Sequence, residues 1–108
     1  MSRVIRILII DDHPLFREGL KAIIGQEGRK YQVIGEAGTA NLGSKLAKKL
    51  QPDLALVDMS LPDRSGIELV GDILNVSPQT RILIVSMHSK IDYIVKAFRA
   101  GAMGYIVK

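Results

Sequence analysis

Five short runs of aliphatic residues punctuate this chain, and none alternates strictly with polar residues. They are Val4–Ile10, Gln32–Gly35, Leu54–Val57, Ile82–Val85 and Tyr105–Val107. Runs this short and this rich in Val, Ile and Leu suit strands covered on both faces, the condition of a parallel sheet. Between them the apolar spacing lengthens to that of helices. Phe16, Leu20, Ile23 and Ile24 form one stripe, and Leu42, Leu46 and Leu50 a second. Ile67, Val70 and Leu74 form a third, and Ile91, Ile94, Val95 and Phe98 a fourth. Pro14 suits a first helical turn, Gly25 and Gly28 an exit, and Pro52 and Pro78 the loops before strands.

Strict alternation of strand and helix predicts an α/β fold with helices on both faces of a parallel sheet. Right-handed crossovers restrict the topology. Five strands favour the flavodoxin-like doubly wound order 2-1-3-4-5. A sheet covered on both faces calls for a fifth helix after Tyr105–Val107, and the sequence reaches Lys108 without one, so the expected fold has its final helix missing.

At 108 residues, 47% hydrophobic and 24% charged, the chain suits one domain with one ordinary core. It has no cysteine, which excludes disulfides and thiolate metal sites. Val4–Ile10 is interrupted by Arg6 and falls far short of the about 20 apolar residues that span a bilayer. The expectation is a cytoplasmic protein with no membrane partner. The net charge of +4 raises nucleic-acid binding, but the fifteen Lys and Arg are dispersed. Their tightest cluster, Lys45, Lys48 and Lys49, reads as a solvated helix face. Aromatics make up only 5%, too few for base-stacking platforms.

In a doubly wound sheet, ligands bind beyond the carboxyl ends of the strands where the order reverses. Here that point lies between the first strand, ending at Asp11 and Asp12, and the third, ending at Asp58. Topology therefore gathers three carboxylates. Clustered carboxylates need a proton or a cation. Oxygen-only ligands at an open crevice suit Mg²⁺. The fourth strand ends in Ser86 and the fifth in Lys108, adding a hydroxyl and a point charge on the same rim. Taken singly, Asp11 or Asp12 reads as a helix cap, Ser86 as a turn residue and Lys108 as an exposed end. Together they supply a carboxylate nucleophile, a cation site and donors, the parts that phosphoryl transfer requires.

Four motifs run through the chain: Ile9-Ile10-Asp11-Asp12-His13-Pro14, Leu56-Val57-Asp58-Met59-Ser60-Leu61-Pro62, Val85-Ser86-Met87-His88 and Gly101-Ala102-Met103-Gly104-Tyr105-Ile106-Val107-Lys108. With them the whole chain resembles the receiver domains of two-component response regulators. The stretches from Asp11 to Leu20 and from Ala97 to Ala102 resemble the NarL/FixJ subfamily, whose members carry a C-terminal LuxR-type helix-turn-helix. The resemblance implies that Asp58 accepts a phosphoryl group, that Asp12 and Asp58 ligate Mg²⁺ directly, and that Asp11 acts largely through water. It adds the backbone carbonyl of Ser60 as a ligand and Lys108 as the partner of the phosphoryl group. Ser86 closes onto a phosphoryl oxygen, Tyr105 swings inward behind it, and Pro62 and Gly66 shape the loop after the acceptor. A sensor histidine kinase or phosphotransfer protein is the implied donor, and a homodimer is a possible assembly. DNA contact is expected only through a further domain.

Residues 1–108 thus read as one receiver domain, cut before its last helix and any DNA-binding domain. It is expected to be a signalling domain that promotes its own phosphorylation and dephosphorylation, and not a turnover enzyme. Two alternatives stay open. A haloacid-dehalogenase-like phosphohydrolase also uses an aspartate nucleophile and Mg²⁺, but places the nucleophile on its first strand in an Asp-x-Asp pattern. A receiver-like interaction module would signal without phosphate.

Overall fold

Each apolar run forms a strand in the structure, a computed structural model that describes residues 3–108. The order is β1 (Ile5–Ile10), α1 (Pro14–Gly25), β2 (Tyr31–Ala37), α2 (Ala40–Leu50), β3 (Leu54–Asp58), α3 (Gly66–Val76), β4 (Arg81–Ser86), α4 (Ile91–Ala100) and β5 (Gly104–Val107). The strands make one parallel sheet in the order β2-β1-β3-β4-β5, as the alternation predicted. Strand limits differ most at β2, which is longer at both ends than Gln32–Gly35. Its register against β1 shifts between Ile7 and Leu8.

Alternate β1 side chains enter two apolar layers. Leu8 and Ile10 join Val57, Ile82 and Ile84 beneath α2, α3 and α4. Ile7 and Ile9 join Leu56 and Val85 on the other face, where Phe16, Leu20 and Ile24 of α1 lie over them. Full burial of each such side chain contributes about 1.5–3 kcal/mol, so the central strands carry much of the stability. Among the described residues four helices cover the sheet. The α1 face carries only one of them, and Ile106 and Val107 of β5 are about half exposed.

Two helical stripes face differently from their spacing. On α4, Ile91, Val95 and Phe98 point outward, while Ala97 is buried and Tyr93 and Ala100 pack on the core. On α2, Ala40, Gly43 and Ala47 form the buried face, and Leu42 is exposed. Small residues win these inward faces because they let the helix lie close. A Cβ on Gly43 would come within 2.7 Å of Ile10 Cδ1. Helix α4 ends at Gly101, whose φ of 116° is a left-handed conformation that glycine adopts without a side-chain penalty.

The registers set the functional rim. Ile10 lies beside Val57, Asp58 beside Val85, and Ser86 beside Val107. Asp11, Asp58, Ser86 and Lys108 therefore come out in one row at the carboxyl ends. The loop after Asp58 is held from both sides. Asp63 accepts the Ala40 and Asn41 N–H groups at the start of α2, which hold its carboxyl below the usual range. Gly66 closes on the backbone: its N–H donates to Met59 O, and an added Cβ would lie 2.2 Å from Asp58 O. Backbone cannot yield as a flexible side chain does. Gly66→Ala is therefore expected to destabilise the fold by about 1–3 kcal/mol, the usual cost of overpacking, and chemical denaturation would measure it. The same variant should shift the amide resonances of Met59 and Ser60.

Candidate functional site

The switch point of the sheet holds a buried acidic cluster. Asp11 is 2% exposed and Asp58 3%, while Asp12 at the mouth is half-buried. One ligand atom from each of Asp11, Asp12, His13 and Asp58 lies within 4.8 Å of the others. Like charges about 4 Å apart repel by about 4 kcal/mol at an effective dielectric of 20, so the cluster depends on cations. Lys108 reaches in from the end of β5, with Nζ 2.9 Å from Asp11 Oδ2 and 3.3 Å from Asp58 Oδ2. Its ammonium also lies 4.4 Å from the centroid of the Phe16 ring, a cation–π contact that helps hold it over the cluster. Arg17 of α1 donates to the Asp11 carbonyl and anchors the end of β1 from below.

The two oxygens of Asp58 are in different situations. Oδ1 accepts the Ser60 N–H at 3.1 Å, whereas buried Oδ2 has no hydrogen bond. Asp11 Oδ2 and Asp12 Oδ1 are likewise buried without a directed hydrogen bond, the first ion-paired to Lys108 at 2.9 Å and the second 3.2 Å from His13 Nδ1. Among the described residues, three carboxylate oxygens share one crevice with a single lysine ammonium as their one fixed positive charge, and such a set fits a hard, oxygen-seeking divalent cation.

Of the residues singled out in the sequence, Asp11, Asp12, Asp58 and Lys108 come together. Ser60 joins them through its backbone N–H. Ser86 sits on the rim, 1% exposed, but its hydroxyl is turned away, donating to Met59 Sδ at 3.7 Å and accepting the His88 N–H at 2.9 Å. Tyr105 is also directed elsewhere, its hydroxyl donating to His88 O at 2.7 Å. Met59 and the His88 backbone thus link Ser86 to Tyr105, and His88 stacks on Tyr93 at 4.7 Å between centroids. No sequence spacing pointed to Met59 or Phe16 as partners, because each reads as an ordinary core position. His13 was visible in the Asp11-Asp12-His13 run, yet its place among the carboxylates depends on the turn into α1.

Burial pushes the Asp58 carboxyl above its ordinary range, and the charge of Asp11 adds to this. The Ser60 N–H and Lys108 pull the other way without cancelling it. Folding thus favours the neutral form. The associated stability is complete below the ordinary Asp value of about 3.9 and is lost as pH rises through the raised native value. At neutral pH the ionised carboxylate is a burden on the metal-free fold. Asp58→Asn is therefore expected to raise the melting temperature in chelator at pH 7, with the gain shrinking toward pH 4. Parallel thermal melts across that range would measure it, and a variant no more stable than wild type at neutral pH would contradict the assignment.

Residues 7–108 match the family model described as the response regulator receiver domain. The transcriptional regulatory protein MctR of Rhizobium johnstonii is 38% identical over 104 residues, covering 96% of this chain and 48% of that protein. The chain spans about half the length of the curated relatives it matches first. A LuxR-family two-component response regulator from Aurantimonas superposes with a TM-score of 0.91 at 38% identity, over 98% of this chain and 75% of that one. A response regulator from Burkholderia pseudomallei, solved with a phosphorylated aspartic acid, a calcium ion and citrate, gives 0.84 at 31% identity, over 95% and 59%. Among the described residues no helix is long and apolar enough to cross a membrane. With its sheet order, its acidic switch point and these likenesses together, the chain belongs to the receiver domains of two-component response regulators, of the LuxR/NarL type.

Proposed function

We propose that Asp58 is the phosphoacceptor of this receiver and that Asp11, Asp12, Asp58 and the Ser60 carbonyl hold Mg²⁺ beside it. The observation that carries this reading is the convergence of carboxylate oxygens from Asp11, Asp12 and Asp58 on one crevice where, among the described residues, the Lys108 ammonium is the one fixed positive charge. When bound, Mg²⁺ supplies charge neutralisation for the non-bridging phosphoryl oxygens. An Asp58 carboxylate oxygen attacks phosphorus in line. The bond from phosphorus to the donor nitrogen or oxygen breaks, and the donor leaves with its electron pair. Lys108 meets the charge that develops on the transferred group. A histidine kinase or phosphotransfer protein is the proposed donor, and the acyl phosphate formed is open to hydrolysis, so the domain also limits its own signal. The Burkholderia relative lends support, since it was solved with a phosphorylated aspartic acid and a calcium ion.

The added charge then draws Lys108 and Ser86 toward the phosphoryl oxygens. To turn inward, Ser86 must release Met59 Sδ and the His88 N–H. Tyr105 is held to the same His88 backbone, so the change reaches it and biases a two-state surface around α4 and β5. The chain is further proposed to be the receiver portion of a longer cytoplasmic regulator. In that protein a fifth helix follows Lys108 and a helix-turn-helix domain contacts DNA, with homodimer formation as the output step.

Intact-mass analysis with phosphoramidate should show one added phosphoryl group in Mg²⁺ and little in chelator. Asp58→Asn should show none, and an unchanged adduct would refute the acceptor assignment. Ser86→Ala should still be labelled but lose the accompanying change in the Tyr105 ring resonances. A Tyr105 response identical to that of wild type would remove Ser86 from the switch.

A further inference from the structure

His13 belongs to the acidic cluster, yet phosphoryl transfer as described above does not use it. Its Nδ1 lies 3.1 Å from Asp11 Oδ1, 3.2 Å from Asp12 Oδ1 and 3.5 Å from Asp58 Oδ2. His13 stands at the N-cap position of α1 but makes no side-chain capping bond. Its backbone N–H is instead bound to Asp11 Oδ1 at 2.8 Å, which directs the ring back over the carboxylates. The ring is largely exposed on its outer side, so it forms the lip of the crevice. Independently of the ring, Asp11 Oδ2 and Asp58 Oδ2, on residues more than nine-tenths buried, face the crevice without a directed hydrogen bond and share a single ammonium, that of Lys108.

We propose that His13 is a nitrogen ligand that lets this centre take borderline transition ions, Zn²⁺ foremost, in competition with Mg²⁺. The proposal rests on the carboxylate centre described above and adds a donor to it. Mg²⁺ is a hard ion that keeps oxygen ligands and water, so the imidazole stays out of its coordination. Zn²⁺ takes imidazole and carboxylate together. Coordination uses the Nδ1 lone pair, so the ring binds with its hydrogen on Nε2, and any hydrogen on Nδ1 passes to solvent. One centre thus offers an oxygen-only set to Mg²⁺ and a mixed set to Zn²⁺. His13, and not the carboxylates, decides the preference.

The test is a titration of protein carrying ¹⁵N-labelled histidine with Zn²⁺ and with Mg²⁺, followed by NMR, with affinities from competition between the ions. Zn²⁺ should move the His13 Nδ1 resonance to the metal-ligated position, and Mg²⁺ should not, with His88 as the internal reference. His13→Asn should weaken Zn²⁺ binding by at least about tenfold, within the range for loss of a group that supports a metal, and leave Mg²⁺ binding nearly unchanged. If Zn²⁺ competes with Mg²⁺ while His13 Nδ1 stays unligated, the inference is overturned and the carboxylate centre stands. If the two ions do not compete, or Asp58→Asn binds Mg²⁺ as well as wild type, both fall together.

Discussion

Repulsion among the clustered carboxylates of Asp11, Asp12 and Asp58 is the constraint on which the rest of the molecule depends. The fold brings them together and then surrounds them with groups that make this tolerable. Lys108 lies against two of them, His13 against all three, and the Ser60 N–H against one oxygen of Asp58. These contacts set three carboxylates against one lysine ammonium, and one buried oxygen on each acid has no directed hydrogen bond. A centre left short of positive charge in this way stores the affinity that a divalent cation or a phosphoryl-lysine contact can use. A fully satisfied cluster would have nothing to gain from a ligand.

The surrounding architecture serves to hold that cluster without relaxing it. Parallel pairing puts Asp11, Asp58, Ser86 and Lys108 on one rim, and the fully buried aliphatic residues of β1, β3 and β4 make the rim rigid. The loop after Asp58 cannot drift, since Gly66 is pressed on its backbone and Asp63 is bound to the start of α2. Rigidity gives way on one side. Ser86, Met59, His88 and Tyr105 are joined by few and exchangeable contacts, one of them a weak bond to sulfur. Beyond them α4 exposes Ile91, Val95 and Phe98. A stiff site beside a loosely tied edge can turn a local change of charge into a change of surface.

Much of the fold was legible in the sequence. Parallel strands buried on both faces need continuous apolar runs, and those runs are present at five places. The order of the strands followed from their number and from the handedness of crossovers. Helix faces were less legible. The stripe Ile91, Ile94, Val95 and Phe98 reads as a core face, yet Ala97 and Ala100 take that place because α4 packs closely on its neighbours. At the site, four acidic or basic residues could be placed by topology alone. The direction of Ser86, the stacking of Phe16 under Lys108 and the return of His13 over the carboxylates could not be.

What the sequence determined by itself was therefore the set of chemical groups and the end of the sheet that carries them, because strand period and residue type are local properties. Only the tertiary structure decided how those groups face one another. Side-chain direction at a rim depends on neighbours contributed by distant segments, here α1, the loop after β3 and the end of β5. A one-dimensional pattern carries no record of which of them arrives first at a shared space.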